Sequence, residues 1–306
     1  MVFNRACISL ILLTLFLSLH LPAAQTFRIA TYNVENDLDH DSGTRHAKSD
    51  AAKAKILESI LALKPDVLAL EEIGETNVLL ELQSALQSNG LPLPNWEYVT
   101  GFDTNIHVCV LSRFPITARR PQTNDTYLLN GETFKVSRGF AEVDVAVTTN
   151  YSFTLIAAHL KSKRTIRAAA EADMRLEEAK ILRQKIDDIL AANPNTSLIV
   201  LGDLNDTHDS PAIRAIIGRG KTGLVDTRPA EHNGDAEPAA NHRLNERNIT
   251  WTDFYAKEDL YSRIDYILLS HAFARDWNPA ETAILALPNW GIASDHRPLV
   301  ATFTVP

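Results

Sequence analysis

The chain has 306 residues, of which 45% are hydrophobic and 22% are charged, and its formal net charge is −8. A chain of this size can build its own core, so its stability does not need disulfide bonds. The acidic balance disfavours tight, non-specific binding of nucleic acid over a broad face, whereas a local basic patch could still recruit a phosphate.

The first 24 residues predict a secretory signal peptide. Arg5 precedes an apolar run from Ile8 to Leu21, and Pro22-Ala23-Ala24 follows that run. The run is shorter than the roughly 20 apolar residues that a membrane-spanning helix needs. We therefore expect cleavage after Ala24 and a secreted or periplasmic protein. Because Pro22 is unusual at such a site, an uncleaved anchor is the alternative.

Removal of the leader would change the net charge only slightly and would leave one cysteine. Without Arg5, 29 basic residues stand against 38 acidic residues, a net charge of −9. Only Cys109 would remain, so no internal disulfide could form. No linker rich in Pro, Gly or Ser divides residues 25–306, which predicts one domain.

Short apolar runs alternate with amphipathic runs along residues 25–306, which predicts an α/β sandwich. Two buried strands, Phe27–Val34 and Val67–Ile73, flank an amphipathic helix over Ser49–Leu63. Further helices are predicted over Asn77–Ser88, Ile166–Ala192 and Pro211–Ile217, and further strands over Val108–Ser112, Ala141–Thr148, Phe153–His159, Ser197–Leu201, Arg263–Leu269 and Leu299–Val305. We expect antiparallel pairing among the three strands between residues 108 and 159. The polar segment 227–250 is expected to be a solvated surface loop, with the rim of a substrate site as the alternative.

Several of these strands end on polar residues suited to metal or phosphate chemistry. Glu72 closes an apolar strand, where a charge is unfavourable unless it meets a cation or a partner. Mg²⁺ binds through one or two carboxylates and keeps other positions for water and phosphate, which fits Glu72. Glu71 is the alternative ligand, because consecutive residues of a strand point to opposite faces. Asn33 could support both the metal and the phosphate.

Asp203 and Asn205 follow Gly202 and lie two residues apart, so on an extended chain they project to one side of a cleft. Asp265 lies in an apolar strand and should have a partner, for which His296 is the natural candidate. His159 closes another strand and offers a second imidazole. Each of these residues taken alone has an ordinary structural interpretation, as a turn, a solvated side chain or a core histidine.

A basic stretch, Lys161-Ser162-Lys163-Arg164-Thr165-Ile166-Arg167, follows His159 directly. Such stretches are usually solvated, and phosphate recruitment by this stretch and by Arg138 is the alternative interpretation. Gly220-Lys221-Thr222 does not complete a phosphate-binding loop, because Ala215 stands where the first glycine is needed.

Taken in order, six short motifs resemble the endonuclease/exonuclease/phosphatase superfamily, the group of deoxyribonuclease I. They are Thr31-Tyr32-Asn33, Leu70-Glu71-Glu72, Ala158-His159-Leu160, Gly202-Asp203-Leu204-Asn205, Ile264-Asp265-Tyr266 and Ser294-Asp295-His296-Arg297-Pro298-Leu299. Each motif is weak alone, but six in the right order span nearly the whole mature chain. One departure is Glu71, where many members carry Gln.

The resemblance implies a four-layered α/β/β/α sandwich with two face-to-face mixed, mainly antiparallel sheets. It also implies phosphoester hydrolysis that depends on Mg²⁺ or Mn²⁺. By the same resemblance, Glu72 would bind the metal beside Asn33, and Asp295 would reach it directly or through water. Asp203 and Asn205 would position the attacking water and the phosphate. His296, oriented by Asp265, would act as base or phosphate stabiliser, and His159 would stabilise charge or protonate the leaving oxygen.

We therefore favour a secreted, metal-dependent phosphodiesterase that uses direct attack by water, and within that class a nuclease. A phosphatase or phospholipase C-like enzyme acting on small or lipid phosphates is the first alternative, and an inactive binding module of the same fold is the second. The sequence shows neither an exposed aromatic hairpin for membranes nor a wide basic face for duplex nucleic acid. We expect a monomer that binds a phosphoester substrate and has no stable protein partner.

Overall fold

The computed structural model describes residues 24–232 and 249–305, and its strands form two large sheets. The first sheet has seven strands in the order β12-β16-β17-β1-β2-β4-β3. These are β1 (Gln25–Asp37), β2 (Val67–Ile73), β3 (Asn95–Val99), β4 (His107–Ser112), β12 (Ala230–Glu231), β16 (Trp277–Ile284) and β17 (Leu299–Val305). β1 and β2 run parallel with helix α1 (Asp50–Leu63) between them, which confirms the predicted β-helix-β opening.

The second sheet has six strands in the order β11-β15-β10-β9-β8-β5. They are β5 (Ile116–Arg119), β8 (Phe140–Thr148), β9 (Tyr151–Ala158), β10 (Leu198–Asp203), β11 (Val225–Asp226) and β15 (Asp265–Leu269). β9 and β10 are parallel, whereas the other neighbouring pairs of this sheet are antiparallel. Two short hairpins stand apart from the sheets: β6 (Thr126–Leu129) with β7 (Glu132–Lys135), and β13 (Asp253–Tyr255) with β14 (Leu260–Ser262).

Three apolar cores hold the layers together. Between the sheets, Phe27 stacks on Phe153 and Phe303 with ring centroids 5.8 and 5.5 Å apart. Helices α1 and α2 (Thr76–Ser88) cover the outer face of the first sheet. Helices α3 (Glu171–Ala192) and α4 (Pro211–Ile217) cover the outer face of the second. The predicted four-layered sandwich with mixed, mainly antiparallel sheets is confirmed.

Two predictions about elements were wrong. The helix predicted to begin at Ile166 begins at Glu171, because residues 161–170 form an irregular loop. In that loop, the ammonium of Lys161 donates to the carbonyl oxygens of Ser162 and Arg164. The predicted antiparallel trio is only a pair: β8 and β9 pair, while β4 pairs with β2 and β3 in the other sheet.

The segment predicted as a surface loop, 227–250, lies mostly outside the described residues, as does the predicted leader up to residue 23. Within residues 24–232 and 249–305, no helix has the length and apolar character needed to cross a membrane.

Candidate active site

Strand direction brings the predicted site residues to one end of the sandwich. Asn33, Glu72, His159 and Asp203 lie at or near the C-terminal ends of β1, β2, β9 and β10. Asp265 begins β15, which is antiparallel to β10, and the segment holding Asp295 and His296 leads into β17, which is antiparallel to β1. The N-terminal ends of these antiparallel strands meet the C-terminal ends of their partners, so both sheets contribute to one site.

A bulge in β2 assigns different roles to its two adjacent glutamates. Pairing with β4 shifts register between Glu71 and Ile73, and Glu72 has a left-handed φ of 64°. Glu72 turns to the site, where Oε1 lies 3.5 Å from Asn33 Nδ2 and Oε2 accepts from the Asn36 backbone N–H at 3.0 Å. Glu71 is fully buried and accepts from Thr31 Oγ1 at 2.9 Å. The alternative ligand Glu71 is therefore turned away from solvent, and burial raises its pKa well above the usual value.

The turn after β10 holds Asp203 among amide donors. Gly202 adopts φ +127°, and a Cβ there would meet the carbonyl oxygen of Ala158 at 2.1 Å, so only glycine fits. Asp203 Oδ2 accepts from Asn33 Nδ2 at 3.0 Å and from Asn205 Nδ2 at 3.2 Å. Burial raises the pKa of Asp203 to about 7, although the hydrogen bonds from Asn205 and Asn33 oppose the shift.

His296 and Asp265 form the predicted pair, with Nδ1 and Oδ2 2.9 Å apart. Burial alone would favour the neutral imidazole of His296, but Asp265 and Asp203 outweigh it and raise its pKa well above the usual range. Asp265 is the closer counter-ion, since Asp203 Oδ2 lies 3.8 Å from Nε2. The remaining ring nitrogen, Nε2, faces the centre of the site.

His159 completes the predicted cluster, and its electrostatics differ from those of His296. Its Nε2 lies 3.4 Å from Asp203 Oδ2 and 3.8 Å from Glu72 Oε1, and neither ring nitrogen has a hydrogen-bond partner among the described residues. Burial, followed by the positive charge of Arg138, lowers the pKa of His159 well below the usual value. The surroundings therefore favour the neutral form of His159 and the protonated form of His296.

Glu35 adds a further carboxylate beside Glu72 and Asp295. Burial and then the charge of Asp295 raise the pKa of Glu35, and Glu72 adds to that repulsion. Glu35 Oε2 also accepts from the Asp295 backbone N–H at 3.1 Å. Carboxylate oxygens are the donors that Mg²⁺ or Mn²⁺ prefers, and Glu35, Glu72 and Asp295 offer such oxygens near Asn33. Lys48 Nζ, 4.0 Å from Glu35 Oε2, relieves part of the repulsion.

Sequence reasoning missed Glu35 and Asp253. Asp253 Oδ1 lies 3.9 Å from His296 Nε2, and burial raises its pKa to about 6. Asp253, Asp295 and His296 form one set of potential metal ligands, and Asp203, Asp265 and His296 form another. Asp253 gives no signal in the sequence, because the long-range pairing of its backbone with His296 brings it to the site.

Asp253 also begins a hairpin that the sequence analysis did not predict. The β13–β14 hairpin exposes Tyr255, Leu260 and Tyr261 by 45%, 50% and 56%. The prediction that the protein has no exposed aromatic hairpin is therefore wrong. The tip of the hairpin is polar, since Lys257, Glu258 and Asp259 are all exposed.

The comparisons agree with this geometry. A family model described as the Endonuclease/Exonuclease/phosphatase family matches residues 30–296. The chain belongs to this family. Members of the endonuclease/exonuclease/phosphatase family hydrolyse phosphoesters, and the predicted family resemblance is confirmed. No curated protein matches the chain.

Solved structures with the same fold include proteins described as a sphingomyelinase and as a 3′ phosphatase. Truncated TDP2 from Caenorhabditis elegans has a TM-score of 0.60 at 16% identity, covering 92% of this chain and 98% of its own. Sphingomyelinase C from Streptomyces griseocarneus has a TM-score of 0.59 at 17% identity, covering 91% and 99%. The 3′ phosphatase NExo from Neisseria, bound to a product DNA hairpin, has a TM-score of 0.59 at 18% identity, covering 90% and 99%. At these identities the likeness shows the fold alone.

Proposed function

We propose that the protein is a secreted phosphodiesterase that depends on Mg²⁺ or Mn²⁺ and acts as a nuclease. The observation that carries the proposal is the convergence on buried Asp203 of an amide donor from Asn33, another from Asn205, and the imidazoles of His159 and His296. Phosphoester hydrolysis needs neutralised phosphate oxygens, an aligned water and a stabilised leaving oxygen. These side chains, with a metal ion, supply all three.

Asp203 is the proposed general base. A carboxylate whose pKa is raised by burial can take a proton from the attacking water at neutral pH more readily than an ordinary aspartate can. The amides of Asn33 and Asn205 hold its Oδ2 in place. No serine or cysteine nucleophile is needed, since water attacks phosphorus directly.

His296 is the proposed cationic donor to the phosphate. Its raised pKa keeps it protonated, and Asp265 fixes Nδ1 so that Nε2–H points to the site. Of the two roles considered, base or phosphate stabiliser, a protonated ring suits the second. His159 is neutral, so it would stabilise developing charge through a ring N–H rather than donate a proton as an imidazolium.

The metal ion would be held by Glu72 and Asp295, with Glu35 and Asn33 beside them. When bound, it supplies Lewis-acid polarisation of the phosphate and charge neutralisation. The hydrogen bond from the Asp295 backbone N–H to Glu35 Oε2, at 3.1 Å, supports this assignment because it holds the two residues side by side.

A phospholipase C-like or phosphatase activity on lipid or small phosphates is the second candidate. The exposed side chains of Tyr255, Leu260 and Tyr261 favour contact with a lipid surface. The polar tip, with Glu258 and Asp259, would oppose insertion into an anionic membrane.

A substrate panel with purified protein tests the proposal. We expect plasmid DNA or RNA to be cleaved faster than sphingomyelin vesicles, and monoesters such as p-nitrophenyl phosphate to be the poorest substrates. Faster turnover of sphingomyelin would instead assign the enzyme to the lipid class, and turnover of monoesters alone would assign it to the phosphatases.

A further inference from the structure

A basic pocket adjoins the candidate metal site. The pocket has a volume of about 880 Å³, and its cationic lining residues are Arg45, Lys135, Arg138, Lys161 and Arg164. A second cleft of about 570 Å³ is lined by Glu72 and again by Arg45, Arg138 and Arg164. Because the two spaces share these arginines, the basic pocket lies next to the candidate metal site.

This pocket is positively charged, whereas the molecule as a whole is acidic. Among the residues that the structure describes, the only acid in its lining is Asp103, which pairs with Arg45 at 2.8 Å, so most of its positive charge is not neutralised by these residues. The whole chain has a net charge of −8. A cationic pocket in an acidic protein attracts anions locally, which the sequence analysis allowed for the Lys161–Arg167 stretch.

Arg138 provides a donor that the protein itself does not use. Its side chain is buried, and Nη1 donates to the carbonyl oxygen of Leu160 at 3.0 Å. Its Nε has no hydrogen-bond partner among the described residues, and the nearest carboxylate, that of Asp103, is 3.9 Å away. A buried guanidinium donor left unpaired is unfavourable, so a ligand that accepts from it would bind strongly.

From this geometry we propose that the basic pocket is a second phosphate subsite, so that the substrate is a nucleotide strand with a phosphate adjacent to the scissile one. The inference rests on the proposed function and narrows its substrate class. A phosphocholine lipid has no second phosphate, and Arg45, Arg138 and Arg164 would repel its quaternary ammonium group if that group entered the basic pocket. Like charges at that position select against the lipid.

The test compares two ligands that differ by one phosphate. Calorimetry in Mg²⁺ measures Kd for thymidine 3′,5′-bisphosphate and for thymidine 5′-monophosphate. We expect the wild-type protein to bind the bisphosphate about tenfold more tightly, the size expected of charge-assisted hydrogen bonds to one phosphate. Arg164→Ser removes an exposed cation of the pocket and should bring the ratio of the two Kd values towards one.

Two further variants separate the subsite from general effects. Arg138→Lys keeps the charge but removes the unpaired Nε donor, and it should also lower the ratio. Arg219→Ser is the matched control, because Arg219 is exposed beyond α4, near β11, which pairs with the end of β15 opposite Asp265. Arg219→Ser should keep the wild-type ratio.

A wild-type ratio near one, or an equal loss in Arg164→Ser and Arg219→Ser, would overturn the subsite. The failure of the proposed function would look different: the bisphosphate preference would be present, but bis-p-nitrophenyl phosphate, plasmid DNA and RNA would remain uncleaved. Hydrolysis of sphingomyelin vesicles faster than of thymidylyl-thymidine with a terminal phosphate would overturn the substrate class.

Discussion

At the residue scale, the proposed base gives the sharpest prediction for catalysis. Asp203→Asn should lower kcat by about 10²- to 10⁴-fold, the usual contribution of a general base. The amide keeps the size of the side chain, so circular dichroism should show an unchanged fold. Turnover of bis-p-nitrophenyl phosphate measures the effect, and a kcat within twofold of wild type would remove Asp203 from the proposed role.

The adjacent glutamates Glu71 and Glu72 provide a matched pair. Glu72→Gln should raise the Mg²⁺ concentration needed for half-maximal activity by at least about tenfold, because a ligand carboxylate is lost. Glu71→Gln should leave that concentration unchanged, since Glu71 is fully buried against Thr31. Metal titrations of the two variants under the same conditions distinguish them. Equal effects would show that the bulge in β2 does not separate their roles.

Glu71 also predicts a pH dependence of stability. Its pKa in the folded protein is well above the usual 4.5, so above pH 4.5 the folded state holds a proton that the unfolded state releases. The contribution of Glu71 is therefore at its most favourable below pH 4.5 and worsens as the pH rises. Glu71→Gln removes this dependence, so the variant should match wild type near pH 4 and gain in relative unfolding free energy towards pH 7. Urea melts at both pH values measure it, and a constant difference would contradict a protonated Glu71.

Most residues of the candidate site could be predicted from the sequence, because their chemical types and their order along the chain match the family motifs. Each of these strand-end residues alone has an ordinary structural interpretation, so the sequence and the family motifs together were needed to select the eight residues Asn33, Glu72, His159, Asp203, Asn205, Asp265, Asp295 and His296. The structure brings all eight to the same end of the sandwich. Glu35 and Asp253 could not be found in this way, since a left-handed backbone at Glu35 and a long-range pairing at Asp253 bring them there.

At the element scale, helix α3 holds two loops of the site in place through Glu178. This buried carboxylate accepts from the Ser137 backbone N–H at 2.9 Å, from Ser137 Oγ at 2.6 Å and from the Lys161 backbone N–H at 2.7 Å. Ser137 precedes Arg138, and Lys161 lies two residues after His159. Glu178 therefore connects α3 both to the basic pocket and to the segment that follows His159.

Glu178→Ala should lower the unfolding free energy by about 2 to 4 kcal/mol, because two backbone N–H groups would lose their buried acceptor. Activity should fall with it as the two loops loosen. The adjacent Glu177→Ala is the control: Glu177 pairs with the exposed Lys180, and such a surface pair contributes less than about 1 kcal/mol. Denaturant melts of both variants decide the matter, and similar losses would mean that Glu178 does not anchor the loops.

The ends of helices and the shortest strands are the features that the sequence predicted least well. The strands of both sheet centres were predicted because they are continuous apolar runs, as in β2 and β10. The start of α3 was misplaced because residues 166–170 suit a helix by composition, whereas hydrogen bonds of Lys161 and Arg175 to the loop keep it irregular. The short hairpin β13–β14 was missed because its strands have three residues each and carry no clear period.

At the scale of the whole molecule, the sandwich explains why distant sequence segments form one site. Parallel pairs β1–β2 and β9–β10 direct four strand ends to the same edge, and antiparallel β15 and β17 return their first residues to it. The order of the layers could be predicted from the alternation of helices and strands and from the family motifs. The assignment of β4 to the first sheet could not be predicted, because sheet membership depends on contacts between residues far apart in sequence.

The central claim is that the protein hydrolyses phosphodiesters at this end of the sandwich with the help of a divalent metal. Hydrolysis of bis-p-nitrophenyl phosphate by the purified protein, with Mg²⁺ or Mn²⁺ and then with excess EDTA, tests it most directly. We predict turnover with the metal, none with EDTA, and recovery when metal is restored in excess. Turnover that is unchanged in EDTA, or no turnover with either metal, would contradict the claim.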